Sequence, residues 1–305
     1  MSQAPEIRVA ILDDYQNVSL TSADWSPVQG RCIIDVYRDT LSSEDDLVRR
    51  LEPYQVICAM RERTRFPASL LDRLPDLKLI ATTGPFNAAI DVGHARSKSI
   101  LVSGTSGKGN STLEHIWTLI LASARYLVQE DANIKKQARQ WQSYIPLGLA
   151  GRTLGLVGVG RLGSATAKIA KAFEMRVIGW SPHLTPERAA QAGVEFVASK
   201  EELFRQSDVV SVHMVLSDAT RHLVTESDLQ SMKPTAFFIN TSRGPLVDEV
   251  ALVRVLQQRK IAGAGLDVYE VEPLPQDHPL RTLENVTLTP HTGYVSDTMY
   301  EVSTQ

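Results

Sequence analysis

Three side chains near the end of the chain could do proton and carboxylate chemistry together: Arg243, Glu272 and His291. Arg243 sits in a Ser-Arg-Gly turn after an apolar run. Its guanidinium is a rigid fork of donors that matches a carboxylate beside a carbonyl. Glu272 lies in Glu270-Val271-Glu272-Pro273, and His291 directly follows Pro290. A carboxylate next to an imidazole favours the protonated ring, and such a pair is the expected device for moving a proton to or from a hydroxyl near neutral pH. Each residue also has a plainer explanation when taken alone: an exposed arginine, a solvated acidic loop, one structural histidine among seven. Other chemistries fit less well. His94, His115, His183, His213, His222, His278 and His291 show no close ligand spacing, so no metal is expected. No G-x-S-x-G elbow marks a serine nucleophile.

The element that must bring a reactant to these side chains is the stretch Arg152 to Ser181. The apolar run Leu154 to Val157 has strand character and leads into Gly158-Val159-Gly160-Arg161-Leu162-Gly163. Leu162, Ala165, Ile169, Ala170 and Phe173 then recur at helical spacing, and a second apolar run follows from Arg176 to Trp180. In a strand–turn–helix–strand unit Gly158 allows the tight turn, Gly160 lets a pyrophosphate approach the backbone, and Gly163 lets helix and strand pack closely. The free N–H groups at the helix start favour phosphate charge. A dinucleotide is therefore the expected cofactor. The acidic residue that takes the ribose hydroxyls of NAD is expected about twenty positions on. Ser181 stands there instead, with His183 and Arg188 as the nearest cations, so the choice stays open between NAD and NADP.

At 305 residues the chain is expected to split into two domains. A net charge of -3 argues against a nucleic-acid or anionic-membrane partner. Cys32 and Cys58 lie in or beside apolar runs and read as buried thiols of a reducing compartment, and with no leader pattern the cytoplasm is expected. Short apolar runs at Ile7–Leu12, Cys32–Tyr37, Val56–Met60, Leu77–Thr82 and Ile100–Val102 alternate with helix-like segments at Ser43–Leu51, capped by Ser42 or Ser43, and Pro67–Leu74. Strand alternating with helix predicts a doubly wound parallel sheet, whose ligands sit beyond the carboxyl ends of the strands. That rule points to Asp13-Asp14, Arg61-Glu62-Arg63-Thr64 and Thr83-Gly84-Pro85-Phe86-Asn87. With no glycine fingerprint, this half is expected to hold substrate.

Gly104 to Gly109 looks like a phosphate loop but lacks the required spacing, and reads as a linker. Leu113, Ile116, Trp117, Ile120, Leu121, Ala124 and Leu127 form one long helical stripe, and Trp141 to Leu149 a loop. After Trp180 the alternation resumes: strands at Asp208–Val212, Ala236–Ile239, Ala262–Leu266 and Val286–Leu288, with a helix at Asp248–Gln258. The predicted architecture is α/β, with two doubly wound parallel-sheet domains. A substrate domain of residues 1–105 plus 293–305 flanks a Rossmann nucleotide-binding domain of residues 106–292.

These blocks together resemble the D-isomer-specific 2-hydroxyacid dehydrogenases over nearly the whole chain. The resemblance is carried by LGLVGVGRLG (154–163), NTSRGPLVDEVAL (240–252), GAGLDVYEVEPLP (263–275) and LTPHTGY (288–294). It implies that the substrate domain is flavodoxin-like, that Arg243, Glu272 and His291 are catalytic, and that Arg161, Leu162, Ser181, Thr241, Asp267 and Gly293 line the cofactor beside the three glycines. The segment from His213 to Thr220 resembles the family's HxPLTxxT block, with Val215 for its proline, and adds His213 and Thr220 to the cofactor set. Pro85 stands in the loop where the family holds a substrate carboxylate on backbone N–H groups; proline has none, which leaves Gly84, Phe86 and Asn87 as donors. The resemblance also implies a homodimer built on the helix after Ser111, and a C-terminal helix inside which this chain ends at Gln305.

The expected activity is hydride transfer between NAD(P)H and a small 2-keto or 2-hydroxy acid, D-specific. Arg243 holds the substrate and the Glu272–His291 pair serves as acid and base. A cofactor-sensing interaction module on the same fold is the reading from another class. Formate or phosphite oxidation is a weaker enzymatic one, since neither substrate has a keto carbon.

Overall fold

The computed structural model describes residues 7–105 and 109–297. The centre of the Gly104–Gly109 run and the end of the expected C-terminal helix lie outside the described residues. The chain divides into two compact units, Met1–Gly109 with Val295–Gln305, and Asn110–Tyr294.

The first unit carries β1 (Ile7–Ile11), β2 (Cys32–Val36), α1 (Glu44–Leu51), β3 (Val56–Ala59), α2 (Ala68–Asp72), β4 (Leu79–Thr82), α3 (Val92–Ser97) and β5 (Leu101–Gly104). Its five strands are all parallel, in the order β2-β1-β3-β4-β5. Local chemistry starts the helices where the sequence indicates. Ser43 caps α1 by accepting from the Asp46 N–H at 3.4 Å; Glu44, Asp45 and Asp46 fill the first turn, and Arg49 and Arg50 the last. This charge order opposes the helix dipole at both ends. Leu47, Leu51, Ile57, Phe66, Leu70, Leu71 and Ile80 close into one core on this helical face. Cys32 and Cys58 are free, half-buried thiols.

The second unit begins with α4 (Ser111–Ala124) and α5 (Leu127–Lys135). β6 (Thr153–Val157), α6 (Arg161–Ala172), β7 (Arg176–Trp180), α7 (Pro186–Gln191), β8 (Glu195–Phe196), α8 (Lys200–Gln206), β9 (Val209–Val212) and α9 (Glu226–Ser231) follow. It ends with β10 (Phe237–Asn240), α10 (Glu249–Gln257), β11 (Gly263–Leu266) and β12 (Val286–Leu288). Seven parallel strands run in the order β12-β11-β10-β9-β6-β7-β8. The central strands β6, β9, β10 and β11 are buried at every position, which explains their continuous apolar runs. Alternate side chains enter different cores. Val157, Val210, Val212 and Phe238 pack with α8, α9 and α10, whereas Leu154, Leu156, Val209 and Ile239 pack with α4 and α6. The glycines of β11 have a packing reason: a Cβ at Gly265 would lie 2.8 Å from Ser123 Oγ and 3.2 Å from Leu119 Cβ, both on α4.

One expectation fails here. The stripe from Leu113 to Leu127 is not a single helix, because α4 ends at Ala124 and Tyr126 adopts a left-handed backbone, φ 52°. Tyr126 stacks on Tyr144 with ring centres 4.5 Å apart and meets Phe237 edge-on at 5.7 Å. That aromatic contact turns the chain, and Leu127 emerges 62% exposed instead of buried. No helix among the described residues is long and apolar enough to cross a membrane.

Candidate active site

Six strands of the second unit stop at one level. Val157 pairs with Trp180 and Val212, Val212 with Asn240, Asn240 with Leu266, and Leu266 with Leu288. The next residue on each strand therefore falls in a row along the carboxyl edge: Ser181, Gly158, His213, Thr241, Asp267 and Thr289. In a parallel sheet this edge is where ligands bind. All of these except Thr289 are residues that the sequence marks for the cofactor.

The glycine turn fits a dinucleotide. Gly158 has φ 103°, a conformation that other residues rarely adopt, and a Cβ there would lie 2.8 Å from the His213 carbonyl oxygen. A Cβ at Gly163 would collide with the Gly158 carbonyl, so α6 can press against the turn only because residue 163 has no side chain. Around Gly160, the cap of α6, nothing lies within 4 Å of a Cβ position. The first N–H groups of α6 have no side-chain cap, so a phosphate can reach them there. Arg161 is exposed, and Leu162 and Ser181 are half-buried. Arg188 donates to the His183 carbonyl at 3.1 Å, which fixes the nearest cation beyond β7.

Two members of the cofactor set, Thr220 and His213, differ in their engagement. The Thr220 hydroxyl donates to the Val215 carbonyl at 2.7 Å and accepts from the Ser217 N–H at 2.8 Å, so it closes its own loop. His213 is half-buried as a residue, yet both ring nitrogens are shut from solvent and have no hydrogen-bond partner. Burial pushes its imidazole down to about 4. It is a neutral ring on a residue whose carbonyl and Cβ lie against the glycine turn.

The Glu272–His291 pair is formed. His291 Nδ1 lies 2.6 Å from Glu272 Oε2, and Glu272 Oε1 accepts from the Tyr269 N–H at 3.0 Å. The pair comes from two neighbouring strand ends, because Glu272 follows β11 and His291 follows β12. His291 itself has a left-handed backbone, φ 52°. Its N–H donates to the Asp267 carbonyl at 2.8 Å, and the Asp267 side chain accepts from Thr289 Oγ1 at 2.6 Å and from the N–H groups of Thr292 and Gly293, each at 2.8 Å. Asp267 is fully buried. Burial alone would raise its acid, but the donors from His115, Thr289 and Thr292 outweigh it and hold the carboxyl below the usual range. Gly293 is thereby placed as a donor to Asp267.

Arg243 stands at the carboxyl end of β10, next to β11 in the sheet. Its turn is braced. Asn240 Nδ2 donates to the Arg243 carbonyl at 3.0 Å, Ser242 Oγ to the Val212 carbonyl at 2.7 Å, and Arg243 Nη1 to the Ser242 carbonyl at 2.7 Å. A Cβ at Gly244 would collide with the Tyr269 backbone, so the Arg243 turn and the segment leading to Glu272 touch main chain to main chain.

In the first unit, Gly84 has φ 93° and its N–H donates to Thr105 Oγ1 at 2.9 Å. A Cβ on Gly84 would meet the Arg61 guanidinium. Phe86 is 75% exposed. The buried Asn87 side chain donates to the Arg61 carbonyl and to Thr82 Oγ1, and accepts from the Ala89 N–H. Asp13 and Asp14 are both fully buried, the first accepting from the Thr40 and Thr64 hydroxyls and the second from Ser19 and the Val18 N–H. Sequence reasoning does not mark His115, Tyr269, Thr289 or Thr292. His115 stands beside Glu114 and off the apolar stripe of its helix, so no sequence signal singles it out.

A glycine-turn dinucleotide edge with a paired imidazole and carboxylate beside it defines the class: a nicotinamide-dependent oxidoreductase of hydroxyl and carbonyl groups. Residues 117–293 match the D-isomer specific 2-hydroxyacid dehydrogenase, NAD binding domain. The chain is 41% identical over 299 residues to a glyoxylate reductase of Thermococcus litoralis, covering 95% of this chain and 85% of that one. It is 36% identical over 260 residues to a D-3-phosphoglycerate dehydrogenase of Archaeoglobus fulgidus, covering 85% of this chain but 49% of that longer relative. The solved phosphoglycerate oxidoreductase of Vibrio cholerae superimposes with TM-score 0.90 at 38% identity, over 98% of this chain and 95% of that one. The chain belongs to the D-isomer specific 2-hydroxyacid dehydrogenase family. The cofactor-sensing interaction module finds no support among these relatives.

Proposed function

We propose that the chain reduces small 2-keto acids to 2-hydroxy acids, of D configuration where the product carbon is a stereocentre, glyoxylate being the first substrate to test, with Arg243 holding the substrate and Glu272–His291 handling the proton. The 2.6 Å contact between His291 Nδ1 and Glu272 Oε2 carries the reading. Reduction needs a hydride at the carbonyl carbon and a proton at its oxygen. The nicotinamide, when bound, supplies the hydride. With Nδ1 engaged by Glu272, His291 keeps Nε2 for the substrate and releases its proton from there to the developing alkoxide. Glu272 holds the ring in one tautomer and balances the imidazolium charge. The Arg243 fork binds the carboxylate beside the carbonyl, which fixes the reacting carbon. In oxidation the neutral ring takes the hydroxyl proton back.

Either nicotinamide cofactor suits this reading. Ser181 puts no negative charge where a 2′-phosphate would sit, and Arg188, held on the His183 carbonyl, is the first arginine to follow β7 in sequence. A homodimer accounts for the large apolar side chains left exposed around α5 and the loop after it: Leu127, Val128, Ile134, Trp141 and Ile145. Two free thiols suit a reducing compartment, and we assign the cytoplasm. Initial rates with glyoxylate, hydroxypyruvate and bulkier 2-keto acids, each with NADH and NADPH, test the proposal. No turnover with any 2-keto acid and either cofactor would overturn it.

A further inference from the structure

We propose that His115 is a positioning residue for His291, acting through Asp267 and Thr289; the inference deepens the functional reading above and rests on it. His115 stands on the first turns of α4, with its side chain 15% exposed. Its Nε2 lies 2.9 Å from Thr289 Oγ1 and 3.1 Å from Asp267 Oδ1. The proton assignments follow from the partners. Thr289 Oγ1 gives its hydrogen to Asp267 Oδ1 at 2.6 Å, and Asp267, held ionised, can only accept. The hydrogen between His115 and both oxygens therefore belongs to Nε2, which shares it between the threonine and the acid.

This bond ties α4 to the turn from Thr289 to Gly293. The turn needs a tie. His291 is held at φ 52°, a conformation that persists only where its surroundings over-determine it. Asp267 is the surrounding that does so, through the N–H groups of His291, Thr292 and Gly293. His115 supplies the remaining donor to that buried carboxylate, beside Thr289. Without it, Asp267 loses the partner that fixes its rotation from the helix side, and the turn can carry His291 away from Glu272. The expected effect falls on the proton step more than on binding.

His115→Leu and His115→Gln separate the outcomes, since glutamine can put an N–H donor where Nε2 stands. The Leu variant is expected to lose about 10- to 100-fold in kcat, with the KM for the keto acid within about threefold, as for a small misplacement of a reacting group. The Gln variant should recover most of that loss. Hydrogen exchange at the amides of Thr292 and Gly293 should rise about tenfold in the Leu variant and return in the Gln variant. Unchanged exchange in the Leu variant, or losses in kcat, KM and folding that glutamine does not rescue, would overturn the proposal. Exchange needs no turnover, so a wild type inactive on every keto acid sinks the functional reading while exchange still decides the clamp.

Discussion

The sequestered ring of His213 makes a quantitative demand on how this protein responds to acid. Its imidazole sits at about 4 in the folded chain, against an ordinary 6.5, because both nitrogens are closed off without a partner. A depressed histidine resists the proton in the folded state and takes it readily in the unfolded one. Stability is therefore intact above about pH 7 and falls as the pH drops from about 6.5 towards 4. With these two values the loss between pH 7 and pH 5 is about 2 kcal/mol, and the full linkage below pH 4 is about 3 kcal/mol. Asp267 does not blur this window, since its donors hold its acid below the ordinary carboxylate range. The comparison is His213→Leu, which keeps an apolar body and removes both orphaned nitrogens. Urea unfolding read by tryptophan fluorescence suits it, because Trp117, Trp141 and Trp180 all lie in the same unit as His213. The gap between wild type and variant should move by about 2 kcal/mol in the variant's favour between pH 7 and pH 5. Parallel pH dependences in the two proteins would show that the ring is hydrated or paired, and the argument would fall.

Four other outcomes follow from the site's geometry. His291→Gln should lower kcat by about 100- to 10,000-fold in steady-state assays with cofactor affinity within about threefold, and Glu272→Gln should lower it by a smaller factor of the same kind. Gly158→Ala places a methyl 2.8 Å from the His213 carbonyl at a backbone angle of 103°, so calorimetry should show cofactor affinity weakened by about tenfold or more. Asp267→Asn turns one acceptor into a donor facing either the Gly293 N–H or the Thr289, Thr292 and His115 donors, which should cost about 2–3 kcal/mol in urea unfolding near pH 7. Because Asp267 is depressed in the folded state, that difference holds above about pH 4 and shrinks as the pH falls through its folded value.

Much of the second unit was legible because its signals are local. An apolar run, a glycine triplet and a helical stripe define β6, the turn and α6 within a few dozen residues. The register that lines up Gly158, His213, Thr241 and Asp267 follows from parallel strands ending in polar residues, which the sequence shows strand by strand. What escaped is non-local. His115 meets Thr289 across 174 positions, and no periodicity reports such a pairing. The break at Tyr126 depends on Tyr144 and Phe237, so the stripe from Leu113 reads as continuous until those rings are placed. Thr220 illustrates another limit. Its position in the block suggests a cofactor contact, while its hydroxyl is committed to Val215 and Ser217.

The left-handed torsion of His291 has an evolutionary corollary. A bulky L-residue in that basin costs about 1–2 kcal/mol relative to glycine, which adopts it freely. Directed evolution for heat resistance alone would therefore reward glycine at position 291 and discard the imidazole. Any thermostabilising campaign on this protein needs turnover in the screen from its first round, because the substitution that relieves this backbone also removes the imidazole paired with Glu272.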